Sequence, residues 1–353
     1  MAYLQFNNIG ISAMAGAVPA NKIDNYQFTE HFSPDVVKEV VDKVGVYERR
    51  VAGANTCASD LCFAAAVKLI EDNNIDKADI DALIFISQTA DYRMPATAII
   101  LQDRLGLPKT TLAFDVNIGC SGFVYGLSIA YGYMQQPGFK KVLLLDGETR
   151  TKAYSFKDRT TGFIFGDAGI AALVEKKEQF GKSYFSLNSD GGRHELIKID
   201  AGGYRKPSTC ETVKEKVVDE HGNIRTEEQG YMQGADVFNF VIREIPRDIK
   251  ETLKYAGAAK EEIDFFVFHQ ANSFMNQYLA KKLKLEARKV PTTIEKYGNT
   301  SSVSIPITMV SELKDQLKEQ KKLLLCGFGV GLSWATAVLM LHDCQVSDIV
   351  EIE

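Results

Sequence analysis

The chain has 353 residues, 45% of them hydrophobic and 25% charged. That balance provides one large or two medium cores and excludes a disordered polymer. A net charge of -5 gives no general attraction to phosphate polymers, and the runs Lys140-Lys141 and Lys281-Lys282 are too short to make a nucleic-acid surface. The six cysteines, Cys57, Cys62, Cys120, Cys210, Cys326 and Cys344, show no C-x-x-C pair. With no basic and apolar leader ahead of them, they are expected as reduced thiols in the cytoplasm, without bound metal.

Residues 1–7 read as a first strand. Asp79-Ile80-Asp81 leads into an apolar run of strand length at 82–86, followed by a helical pattern over 95–105. A second helical pattern spans 123–134, and Lys140-Lys141 then leads into the strand-like run 142–145. After a further apolar run at 170–174, the charged stretch 175–182 marks a seam. The same grammar returns beyond it: Glu262-Ile263-Asp264 leads into 265–268, helical patterns follow at 275–283 and 303–313, and Lys321-Lys322 leads into 323–325. The uncharged run 323–341 is nearly long enough to span a bilayer. Gly327, Gly329, Gly331, Trp334 and Thr336 interrupt it, so it is expected as two buried strands joined at a glycine turn, not as a membrane helix. Strands alternating with helices predict an α/β protein with layered sheets, duplicated as 1–176 and 177–353.

The two halves place Cys120, in Ile118-Gly119-Cys120-Ser121-Gly122, and Asn299, in Tyr297-Gly298-Asn299-Thr300, at comparable points, each just before a helical stretch. A helix N-terminus favours thiolate, the nucleophilic form of cysteine, and flanking glycines leave room for a thioester. The other five cysteines are expected as buried packing residues. His269 ends the apolar run 265–268, where polar residues commonly line a site at a strand's carboxyl edge. The remaining histidines, His31, His194, His221 and His342, sit in polar or terminal surroundings and are expected at the surface. Asn299 can donate hydrogen bonds without changing protonation, which suits an enolate or thioester oxygen, although Asn after Gly also simply turns a chain. Gly327-Phe328-Gly329-Val330-Gly331 lacks a following Lys-Ser/Thr, so it is no phosphate loop. A backbone N–H from it, beside that of Cys120, fits an oxyanion hole, where one donor is worth roughly 2.7–4 kcal/mol.

Taken in order, these segments resemble the thiolase-fold condensing enzymes, and most nearly the 3-oxoacyl-acyl-carrier-protein synthase III family. The resemblance spans nearly the whole chain through Phe114 to Phe123, Phe165-Gly166-Asp167-Ala168-Gly169, His269-Gln270-Ala271-Asn272, Tyr297 to Ser301 and the glycine loop. It implies a thiolase-like α-β-α-β-α fold and a decarboxylative Claisen condensation, with Cys120, His269 and Asn299 as catalytic residues. Cys120 would take an acyl group from an acyl-CoA or acyl-carrier-protein donor. Malonyl carrier protein would then decarboxylate, with His269 and Asn299 stabilising the enolate that attacks. No permanently bound cofactor is implied. The binding candidates are Arg159, matching an arginine near the coenzyme A entrance, Asn272, along the pantetheine channel, and Val330, in the oxyanion loop. The family's homodimers insert an apolar side chain into the partner's acyl pocket at the place of Met94.

The chain also departs from the family. Glu39 and Lys43 stand where bacterial members carry a tryptophan and an arginine ahead of Gly45-Val46-Tyr47-Glu48-Arg49-Arg50. Phe274 replaces an arginine used for carrier docking, Val330 replaces a glycine, and a charged insertion occupies about 205–230, where it would cap the entrance. These departures point to a specialised branch with an unusual acyl donor. Two other readings share the same residues: an acyltransferase on this fold that esterifies an alcohol or amine, and a silent partner subunit that only binds carrier protein. A transferase needs a base for its acceptor but no amide to steady an enolate, and a silent subunit needs none of the three reactive groups.

Overall fold

The computed structural model describes residues 2–353; Met1, the first residue of the expected opening strand, lies outside them. Ala2–Asn7 is a strand. The apolar run at 82–86 falls within the strand Ile80–Ile86, buried along almost its whole length because helices cover both faces of its sheet. It pairs in parallel with Leu112–Val116 on one side and Lys141–Glu148 on the other, and Ala168–Lys176 returns antiparallel to Lys141–Glu148. Later in the chain Phe265–Phe268 pairs in parallel with Lys321–Gly329, and Ser333–Leu341 returns antiparallel. The glycine-rich run thus ends the first of these strands, through Gly329, and turns into the second. Among the described residues no helix is long and apolar enough to cross a membrane.

Seven strands form the first sheet and five the second. Their edges are laced together by the chain ends. Ala2–Asn7 pairs with Lys182–Ser189 in the five-stranded sheet, while Gln345–Val346 and Val350–Ile352 pair with Ile9–Pro19 in the seven-stranded one.

Between the sheets lie the helices Gly122–Met134 and Ser304–Glu312. Both are buried around most of their circumference, including Phe123, Leu127 and Tyr131 of the first and Ile305, Ile307 and Met309 of the second, as a helix packed on two sides requires. The outer helices differ in pattern. Gly234–Ala256 buries Val237, Phe240, Val241, Ile245, Ile249 and Leu253, a single stripe facing the five-stranded sheet, and Ser273–Leu283 packs beside it. Ala58–Asp72 and Thr97–Arg104 cover the outer face of the other sheet. The order is therefore α-β-α-β-α.

The charged stretch 205–230 folds as an exposed excursion around the small hairpin Lys216–Val217 and Ile224–Arg225. Arg225 holds buried Asp158 at 2.8 Å, and Ser155 Oγ donates to Ile224 O at 2.6 Å, so the excursion sits on segment 155–159.

The central layer sets the stability of the molecule. Leu127→Ala, which empties a fully buried position in that layer, is expected to cost about 2–5 kcal/mol. Val217→Ala, at a position 68% exposed on the excursion, should change stability by no more than about 0.5 kcal/mol. Urea denaturation of both variants checks the contrast.

Candidate active site

Cys120 lies on the loop between the strand Leu112–Val116 and the helix Gly122–Met134. The loop is tight enough to require glycine around it. A Cβ on Gly119 would collide with Gln88 Oε1 and Val330 Cγ1. Gly329 has φ +152°, and a Cβ there would stand 2.6 Å from the Cys120 sulfur. The second glycine-rich turn thus runs directly over the thiol.

His269 follows the strand Phe265–Phe268 and continues its ladder by one bond, from its N–H to Cys326 O at 2.9 Å. Its Nδ1 lies 2.7 Å from Ser304 Oγ, which also accepts from the Gln270 N–H at 3.2 Å. Ser304 opens the second buried helix, so the imidazole is held by the central layer. Asn299 is locked to the segment 164–166. Its N–H donates to Ile164 O at 2.9 Å and its carbonyl accepts from Gly166 N–H at 3.2 Å, forming a parallel bridge with Phe165. Its Oδ1 accepts from Ser301 N–H at 2.9 Å, and Nδ2 donates to Ala271 O at 3.3 Å.

Cys120, His269 and Asn299 line one cavity, together with Asn272 and Val330. Asn272 also caps the helix Ser273–Leu283 by accepting from Met275 N–H at 2.8 Å. Arg159 is not at this cavity. Its backbone N–H donates to Asn223 of the excursion at 2.9 Å, because segment 155–159 lies beneath that hairpin. No residue of 205–230 lines the cavity, so the expected cap covers the Arg159 segment and not the thiol's own pocket.

Burial by itself pushes the Cys120 thiol up. The charge and hydrogen bond of His269, the Val330 N–H and the charge of Arg150 outweigh it, and the thiol falls to about 7. The loop after Gly329 therefore contributes a donor aimed at the sulfur, and the imidazole and the Arg150 charge are influences beyond the helix terminus considered from sequence.

Several residues at the site escaped the sequence reading. Arg150 lines the cavity and is 6% exposed. It lies just past the strand Lys141–Glu148, and the signal that singled out His269, a polar residue after a buried strand, applied to it equally. Ser304 had no signal, since its partner lies 35 residues away in the chain. Buried Asp146 accepts from Ser302 Oγ at 2.6 Å, which ties the strand Lys141–Glu148 to the turn ahead of Ser304, and burial pushes its carboxyl well up.

The expectations for the other cysteines and histidines need correction at three places. Cys62, Cys326 and Cys344 are buried, whereas Cys210 is exposed because the charged excursion has no core to receive it, and Cys57 is only partly covered at the start of the helix Ala58–Asp72. His31, His194 and His221 are exposed; His342, after the strand Ser333–Leu341, is partly buried.

The site's electrostatics predict a pH dependence. Thiolate rises as pH rises through the thiol's midpoint, so Cys120 alkylation by iodoacetamide should reach half its maximal rate near pH 7. His269→Ala removes two lowering influences and should move that midpoint upward, as stopped-time alkylation followed by intact mass would show.

Known proteins resemble this chain along nearly its full length. Residues 114–191 match the family model described as 3-Oxoacyl-[acyl-carrier-protein (ACP)] synthase III, and 253–341 match that of its C-terminal part. The putative 3-oxoacyl-[acyl-carrier-protein] synthase 3 of Campylobacter jejuni is 36% identical over 98% of this chain and 97% of its own. Beta-ketoacyl-[acyl-carrier-protein] synthase III of Clostridioides difficile is 35% identical over 94% of this chain and 97% of its own. The crystal structure of 3-oxoacyl-(acyl-carrier protein) synthase from Burkholderia xenovorans superposes with a TM-score of 0.93 at 39% identity, covering 99% of both chains. With its thiolase-like layers and its match along nearly the full length of these relatives, the chain belongs to the 3-oxoacyl-[acyl-carrier-protein] synthase III family.

Proposed function

We propose that this protein joins an acyl group carried on Cys120 to the two-carbon unit of malonyl-acyl-carrier protein, releasing carbon dioxide and 3-oxoacyl-acyl-carrier protein. The observation that carries the reading is the meeting of a thiol lowered to about 7, an imidazole and a carboxamide in one cavity.

In the first step the Cys120 thiolate attacks a donor thioester. Backbone N–H groups of the glycine loop and of Cys120 receive the developing oxyanion, where preorganised donors cost no reorganisation. The donor thiolate leaves and takes up a proton. Malonyl carrier protein then loses its carboxylate as carbon dioxide, leaving an enolate. When Ser304 donates to His269 Nδ1, the imidazole proton sits on Nε2 and is free for the enolate oxygen. Asn299 offers its amide N–H group from a side chain already fixed by Ser301. The enolate carbon attacks the acyl-Cys120 thioester, a carbon–carbon bond forms, and the Cys120 thiolate is expelled.

On the same reading, coenzyme A or carrier-protein thioesters are the substrates, Asn272 borders the pantetheine path, and Arg159 acts farther out at the entrance, beside the excursion. Residues 1–176 and 177–353 are the halves of an old duplication. The enzyme works in the cytoplasm in fatty acid or related acyl-chain synthesis, consistent with six cysteines free of disulfides. It acts as a homodimer. Met94, 75% exposed, with Tyr92 at 63% beside it, forms an apolar projection suited to a partner's pocket.

Cys120→Ala should abolish acyl transfer. In Asn299→Ala the acyl-Cys120 form should still accumulate while carbon dioxide release falls on the order of 100- to 1,000-fold. His269→Ala should behave similarly, with slower acylation because thiolate is scarcer. Intact mass for the first step and labelled carbon dioxide for the second separate them; equal loss of both steps in all three variants contradicts this division of labour.

A further inference from the structure

Arg150 is the unusual group in the cavity. Its side chain is 6% exposed, yet among the described residues it forms no ion pair with a carboxylate. One terminal nitrogen donates to Gln88 Oε1 at 3.4 Å and the other to the Tyr154 hydroxyl at 3.2 Å, both neutral and both long; Nε has no partner. The rings of Tyr154 and Phe165, stacked on each other at 4.1 Å, lie together beside the guanidinium at 5.3 and 5.8 Å. The neighbouring Glu148 carboxyl is turned away, receiving Gln88 N–H at 3.0 Å and Thr89 Oγ1 at 2.7 Å. A guanidinium does not lose its proton, and this one is balanced only through space, by the Glu148 carboxyl and the Cys120 thiolate, so acylation of Cys120 removes one of its two compensating charges unless the acyl group supplies another.

The surroundings indicate what that ligand carries. Arg150, Tyr154, Ile197 and Val330 form a wall shared by the Cys120 cavity and an adjoining hollow. Gln88, Asn117 and Lys198 complete much of the hollow's lining, and no carboxylate belongs to it. It therefore presents the Arg150 cation, two amides and a phenol beside a thioester-forming cysteine, while Lys198 is already paired with Glu195 and Asp200. Its volume of about 230 Å³ lies below the roughly 300–1,000 Å³ of a drug-sized pocket, which favours a short chain.

We propose that Arg150 is a specificity-determining residue, and that the acyl group loaded on Cys120 is a short one bearing a carboxylate that pairs with the Arg150 guanidinium. This rests on the proposed acyl-Cys120 chemistry and names its substrate class. In loading, the bond between the donor's acyl carbon and its sulfur breaks as the bond to Cys120 Sγ forms. The proton of the Cys120 thiol ends on the departing thiol, and the distal carboxylate is unchanged.

The test compares Cys120 acylation rates, by intact mass, with succinyl-CoA, its apolar shape analogue 4-methylpentanoyl-CoA, butyryl-CoA and 3-hydroxybutyryl-CoA. The full-length enzyme should favour succinyl over the two apolar donors on the order of 10- to 100-fold, the span expected for a hydrogen bond to a charged group. Arg150→Leu should erase or invert that ratio and Arg150→Lys should retain part of it. The ratio is taken within each variant, so a general change in thiolate content cancels. Preference for butyryl or 3-hydroxybutyryl, or a ratio unchanged in a folded Arg150→Leu variant, overturns the assignment while leaving the condensing reading intact. Failure of every donor to label Cys120 removes both.

Discussion

Two helices packed between two sheets constrain everything that reacts. Gly122–Met134 and Ser304–Glu312 are buried on nearly all sides, so neither can shift without disturbing both sheets. The first begins just after Cys120 and the second begins with Ser304, which fixes the His269 ring. Asn299 reaches the same place through its bridge to Phe165, a contact between segments far apart in the chain. The groups meet because buried elements hold them there, and a thiol that burial alone would keep protonated is brought down to about 7 by that meeting.

The layers were legible because burial leaves a strong imprint. Apolar runs such as 82–86 and 323–325 are continuous because helices cover both faces of each sheet, and the interior helices lack the polar stripe that a surface helix shows. His269 could be singled out because it ends an apolar run, and Cys120 and Asn299 because each stands at a comparable point just before a helical stretch. What stayed hidden were partners set by distance in space. Ser304 is 35 residues from His269 and looks like any helix serine. The lacing of the termini, Ala2–Asn7 into the later sheet and Val350–Ile352 into the earlier one, left no periodic signal because edge pairing depends on tertiary placement.

Arg150 shows a different limit. Within Gly147-Glu148-Thr149-Arg150-Thr151 it follows a buried strand as His269 does, but only the folded chain reveals that its charge is buried beside aromatic rings and makes no direct ion pair with a carboxylate. Sequence departures at the entrance had pointed to an unusual donor; the wall beside the thiol gives that expectation a chemical form. The excursion over segment 155–159 is a separate feature, placed outside the pocket where the acyl group is held.

The central claim is that carbon on Cys120 becomes carbon in a new carbon–carbon bond. It is tested most directly in a single turnover of isolated, radiolabelled acyl-enzyme mixed with malonyl carrier protein. The account predicts that label leaves Cys120 in equal proportion to carbon dioxide released and appears in 3-oxoacyl carrier protein. Label recovered instead as free acid or as an ester, with no carbon dioxide formed, would contradict it.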